Sequence, residues 1–161
     1  MSQIHIHLLI THLPIFGSIL GALVLTYGLL SRSNDTKIAA YLLFILSSIG
    51  AGISFITGEE TEETVENIQG VVQETIKAHE EFALIALISL IILGFSSIIG
   101  IYLTYRNSPL SKTTAIVILF ISLVSFGIVA RTGYLGGQIR HTEISNRATV
   151  HSENAEVETD D

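Results

Sequence analysis

Six histidines in a chain that is 48% hydrophobic demand an explanation. Three of them, His5, His7 and His12, crowd the N-terminus, and His79, His141 and His151 follow much later. Imidazole binds haem iron, zinc, copper and non-haem iron, and it carries protons near neutral pH. Glu59, Glu60 and Glu63 form an acidic group with metal-ligand character. Arg131 precedes a glycine-rich run that includes Gly133, Gly136 and Gly137. A guanidinium there could bind haem propionates, pair with Glu59 or Glu60, or reach out to lipid phosphate.

The absence of cysteine excludes disulfides, thiolate zinc sites, cysteine-ligated iron–sulfur clusters and covalent c-type haem. Met1 is the only methionine, so an axial methionine is not expected. A net charge of −7 opposes nucleic-acid binding, which needs a basic stripe. No phosphate loop, nucleophile elbow or H-E-x-x-H helix stands in the chain.

These side chains must be positioned by membrane helices. Charged residues make up only 14% of the chain, and the apolar residues come in four long blocks: 8–30, 38–57, 82–105 and 113–130. Each is near the roughly 20 residues that cross a hydrocarbon core, and lipid requires every backbone group to be satisfied within the segment. The expected fold is therefore all-α, an integral membrane antiparallel four-helix bundle over residues 1–142. The acidic remainder, 143–161, is expected to be an unstructured tail. The long connection, Gly58–Ala78, carries Val65, Ile68, Val72 and Ile76 at helical spacing, so an amphipathic surface segment is expected between helices 2 and 3. No cleavable leader is expected, because a basic start is missing and histidines interrupt the first block.

Four spans place both termini and the long connection on one side. The short turns on the other side carry Arg32, Lys37, Arg106 and Lys112. Lys77, Arg131, Arg140 and Arg147 are spread over a much longer stretch on the terminal side. Basic density thus predicts cytoplasmic turns, with both termini on the periplasmic or outer side of an inner membrane. All six histidines and every acidic residue except Asp35 then gather at that outer side. Small-residue clusters (Gly17 with Gly21; Gly50, Gly52 and Ser54; Gly94, Ser97 and Gly100) predict close helix approach.

His7 and His12 are five residues apart, about 7.5 Å of rise and about 140° of rotation on a helix. They would not clamp one ion together. His12 precedes Pro14 near the membrane interface, where an ionisable residue is costly and points to function.

The run from His7 through Thr11, His12, Leu13, Pro14, Ile15 and Phe16 resembles the His-Pro-x-x-x-His-Phe-Pro-Ile opening of a membrane family called domain of unknown function 2231. Ala78-His79, and the stretch from Gly133 through Gly136, Gly137 and Arg140 to His141, resemble its second and third landmarks. The resemblance spans roughly residues 5–141, with Leu8 where the family often has proline and Leu13 where it often has phenylalanine. It implies a small four-helix membrane domain in a redox or haem setting.

Three functions follow as expectations. The leading one is a haem b protein passing electrons at the outer face, with His12 and His79 as one ligand pair, His7 and His141 as a second, and Arg131 near the propionates. The alternative is a zinc, copper or iron site built from His12, His79, His141 and Glu59 or Glu63. The third is a cofactor-free accessory membrane subunit. The implied partners are the lipid bilayer, a redox protein or quinone, and an oligomer or larger membrane complex.

Overall fold

The structure is a computed structural model. It describes residues 10–65 and 73–157, with side chains over 10–58 and 76–137. Among the described residues the chain forms four helices: α1 His12–Leu30, α2 Asn34–Val65, α3 Gln73–Tyr105 and α4 Ser111–Val157. Each contains a stretch long and apolar enough to cross a membrane, of 19, 25, 30 and 27 residues in chain order. Their large outward side chains, such as Leu23, Ile49, Phe95 and Phe120, are exposed. That is the composition of an integral membrane protein, in which lipid replaces water around an apolar exterior.

The sequence places Pro14 near the start of the first span, and the structure buries it in the first turn of α1. A helix start has no intrahelical partner for that N–H, so proline fits there. At the other end of α1, Ser31 N–H donates to Tyr27 O (2.8 Å) and Ser33 N–H donates to Gly28 O (3.1 Å). The matching bonds after α3 run from Arg106 N–H to Tyr102 O (3.0 Å) and from Ser108 N–H to Leu103 O (3.0 Å). Both helices thus close in the left-handed cap that satisfies orphan carbonyls. Arg32 (φ 56°) and Asn107 (φ 49°) occupy the left-handed position. Asparagine tolerates that conformation, whereas arginine carries a cost of roughly 1 kcal/mol there. The two turns are tied to each other by Asn34 Nδ2 donating to Asn107 Oδ1 at 3.0 Å.

Each helix packs on its chain neighbours, and α4 closes back on α1. Close approach is made by the small residues. A Cβ at Gly17 would fall within the Ser47 side chain, and one at Gly21 within the Phe44 ring. Gly50 similarly accepts Leu13, Gly94 accepts Ser48, and Gly100 accepts Tyr41 and Ile118. Gly52 has open space around its Cβ position, so it is not part of that packing.

The core joins Leu25, Tyr41, Phe44, Leu90, Leu93 and Ile118 in one cluster. Serines lie among them, and their hydroxyls are engaged on backbone carbonyls. Ser47 donates to Leu43 O (2.9 Å), Ser97 to Leu93 O (2.8 Å) and Ser122 to Leu119 O (2.7 Å). This satisfies the hydroxyl where no water can, since an unpaired polar group in an apolar interior is costly.

The amphipathic segment expected between the second and third spans falls partly on residues 66–72, outside the described residues. On either side, α2 continues to Val65 and α3 begins at Gln73. Ile76, expected on that segment, is buried at the start of α3. Helix α4 likewise runs on through the segment read as an acidic tail.

Candidate functional site

At the end of the bundle nearest His12 and His79, the four helices line a half-open cavity of about 560 Å³. Its wall takes Pro14 and Ile15 from α1, Phe55 from α2, Leu87 and Leu90 from α3, and Val129 from α4. His79, Glu80, Glu81, Ser54 and Thr132 add polar groups, so the space is mostly apolar with a polar end.

His79 is the anchored member of this set. It lies nearly two turns inside the start of α3 and is half-buried in the cavity wall. Its Nδ1 is 3.1 Å from the Thr132 carbonyl oxygen. A carbonyl oxygen only accepts, so Nδ1 carries the proton. In the neutral imidazole the lone pair then sits on Nε2. A metal-bound histidine is commonly held in this way, with the second nitrogen donating to a backbone carbonyl that fixes tautomer and ring orientation.

Helix α4 supplies this partner through local sequence. Thr132 and Gly136 are four residues apart, hence on one helix face. The Thr132 hydroxyl accounts for itself by sharing its one proton between Ile128 O (3.0 Å) and Phe82 O (3.2 Å). The second of these crosses to α3 and pins the two helices together beside His79. Gly136 leaves room for the imidazole: a Cβ there would stand 3.1 Å from His79 Cε1. Farther in, Ser125 Oγ reaches Ser89 O at 3.4 Å, so polar contacts recur along the whole α3–α4 seam. Thr132 and Gly136 escaped the sequence reading as partners of His79. No side-chain pattern could have found them, because the partner is a backbone carbonyl and Gly136 acts by lacking a side chain.

The other expected site residues are placed differently. His12 is exposed, and its ring stacks on the exposed Phe16 ring at 6.3 Å between centroids. It stands beside Thr11 and Pro14, which reach the cavity wall, but it is not itself part of that wall. Arg131 is exposed as well, with its guanidinium 5.8 Å from the Phe82 ring centre and 5.5 Å from that of Tyr134. Cation–π contact of this kind positions an arginine at an interface where an aromatic and an aqueous layer meet. His7 lies outside the described residues, and the side chains of Glu59, Glu60, Glu63 and His141 do so too. Among the described residues, no group of three or more His, Cys, Asp or Glu side chains is arranged to hold a metal ion.

No protein-family model, curated protein or solved structure matches this chain.

Proposed function

We propose that this chain is an antiparallel membrane bundle that holds haem b in the cavity beside His79 and passes electrons at that face. The observation that carries the reading is the His79 imidazole, held by the Thr132 carbonyl at the wall of a mostly apolar space. A volume of about 560 Å³ is within the roughly 300–1,000 Å³ typical of cofactor and ligand sites. The apolar wall from Pro14 to Leu90 suits a porphyrin face. His79 Nε2 would hold the haem iron, and haem, when bound, would supply one-electron chemistry. The remaining residues orient the ring and exclude water. His12 as the second axial ligand would need its ring to leave Phe16, so His79 carries the assignment.

The antiparallel arrangement is supported by residue pairs whose numbers run in opposite senses: Gly28 with Lys37 and Gly17 with Ser47, then Gly94 with Ser48 and Gly100 with Tyr41. The basic short turns support a cytoplasmic position for them and an outer position for the His79 end, in an inner membrane. Because the chain has no cysteine, single introduced cysteines report sidedness cleanly. Gln69→Cys is expected to react with an impermeant maleimide in intact cells, and Asn107→Cys only after permeabilisation. The reverse pattern would invert the orientation.

A second reading is a transition-metal site, favoured by the Thr132 carbonyl that leaves the His79 Nε2 lone pair free, with His12 at the same end of the bundle. His141, Glu59 and Glu63 would complete it from the expected ligand set. A quinone or a redox protein is the proposed exchange partner in the haem reading.

The absorption spectrum of the wild-type protein, purified from haem-replete cells and paired with metal analysis, tests these readings. A Soret band that shifts on reduction is the expected result. A colourless protein with bound zinc, copper or iron would favour the metal site. A colourless, metal-free protein would end both and leave the accessory-subunit reading.

A further inference from the structure

The opposite end of the bundle contains a cation that the sequence assigned only to topology. Lys37 is 8% exposed, in the first turns of α2. Its ammonium has one hydrogen bond, a 3.5 Å contact to Ser111 Oγ. Ser111 is itself 2.9 Å from Thr104 Oγ1. Tyr41 lies one turn beyond Lys37 on the same helix face and is fully buried, and its hydroxyl lies near the Thr104 side chain without a well-formed hydrogen bond. The acidic residue nearest in sequence, Asp35, is exposed.

This combination is electrostatically incomplete. A buried charge is normally paired, and a buried hydroxyl normally bonded. The backbone makes the imbalance larger. Helices α2 and α4 both begin here, at Asn34 and Ser111, and each helix start carries roughly half a positive charge. A lysine in a first turn opposes that dipole. Arg32, Arg106 and Lys112 add three exposed positive charges around the same end. An anion would complement the ammonium, the nearby hydroxyl donors and the positive ends of both helices.

We propose that this end of the bundle binds a phosphate oxyanion, with Lys37 as its charged donor and the Tyr41 and Ser111 hydroxyls as neutral donors. The phosphate belongs either to an anionic lipid headgroup, since the site lies beside the turns, or to inorganic phosphate. Binding at a buried lysine differs from general attraction to the basic rim because it requires side chains that surface charge does not.

The test uses the full-length protein and thermal unfolding. One arm compares nanodiscs of phosphatidylcholine with and without phosphatidylglycerol. The other titrates inorganic phosphate in lipid-free detergent at constant ionic strength. A rise in unfolding temperature in the first arm alone identifies the lipid source, and a rise in the second identifies free phosphate. Lys37→Met is expected to weaken apparent affinity at least about tenfold, since a charge-assisted bond is lost. Tyr41→Phe, which keeps the ring against Gly100, is expected to weaken it about threefold, the loss of one neutral bond. Arg106→Gln with Lys112→Gln should preserve most of the shift. No shift in either arm overturns the proposal, as does a shift that the rim double variant abolishes. An undiminished shift in Lys37→Met also overturns it. If Lys37→Met does not fold, Tyr41→Phe with unweakened affinity has the same force.

Discussion

His79→Ala is expected to remove most of the haem absorbance while the protein still inserts. Insertion depends on the apolar spans, and Ile76–Tyr105 remains long and apolar enough without the imidazole. The variant loses the axial Nε2 and the bond to the Thr132 carbonyl together. The second loss alone costs about 1 kcal/mol, too little to unfold the bundle. The first removes the only cavity-wall imidazole among the described residues, so haem affinity should fall at least about tenfold, on the order of 1.4 kcal/mol or more. His12→Ala is the informative comparison. Its ring lies against Phe16 and outside the wall, so it should leave most of the absorbance in place. Difference spectra of membranes normalised to protein content decide the matter. Colour that survives His79→Ala would end this ligand assignment. Loss of colour in both variants would instead restore the His12–His79 pair, with the His12 ring turned inward in the loaded protein.

Gly21→Leu should have the largest effect on stability, with Gly17→Leu close behind. Even a Cβ at Gly21 falls within the Phe44 ring, and one at Gly17 within the Ser47 side chain. Phe44 and Ser47 are both fully buried, so neither can swing into lipid. The α1–α2 pair must separate, which breaks packing along the whole seam. Overpacking at one such site costs typically about 1–3 kcal/mol. For a chain of this size that is a fall in unfolding temperature of roughly 5 °C or more. Gly127→Leu serves as the control, because its Cβ position meets open space and faces outward. Thermal unfolding in one detergent compares the three. Equal temperatures for Gly21→Leu and Gly127→Leu would mean that α1 does not pack on α2 through these glycines.

The helices were legible because lipid imposes a simple rule: an apolar run of sufficient length with its backbone bonds internal. The glycine contacts were legible for a related reason. Gly17 and Gly21 repeat on one face, and only small residues let helices touch. Gly52 shows the limit, since proximity to Gly50 in sequence says nothing about which face meets a neighbour. The site was legible only as a group. Six histidines that the count of spans assigns to one end point to chemistry there, but choosing among them requires knowing which ring faces inward. His12 and His79 differ in exactly that respect, and rotation about a helix axis is set by tertiary packing. The Thr132 carbonyl is a backbone group, so no side-chain pattern marks it. Lys37 was read as one basic turn residue among four. Its burial beside Tyr41 follows from the Asn34 helix start and the close approach at Gly28, where a Cβ would stand 3.0 Å from the Lys37 backbone nitrogen.

Beyond Leu90 the cavity ends, and Leu25, Phe44, Leu93 and Ile118, one from each helix, fill the middle of the bundle. The serines between them turn their hydroxyls to carbonyls. An ion travelling along the axis would have to shed its hydration against this plug, at a cost on the order of 20 kcal/mol by an idealised Born estimate. In this conformation the described middle of the bundle therefore offers an ion no hydrated path from the cavity to the far end.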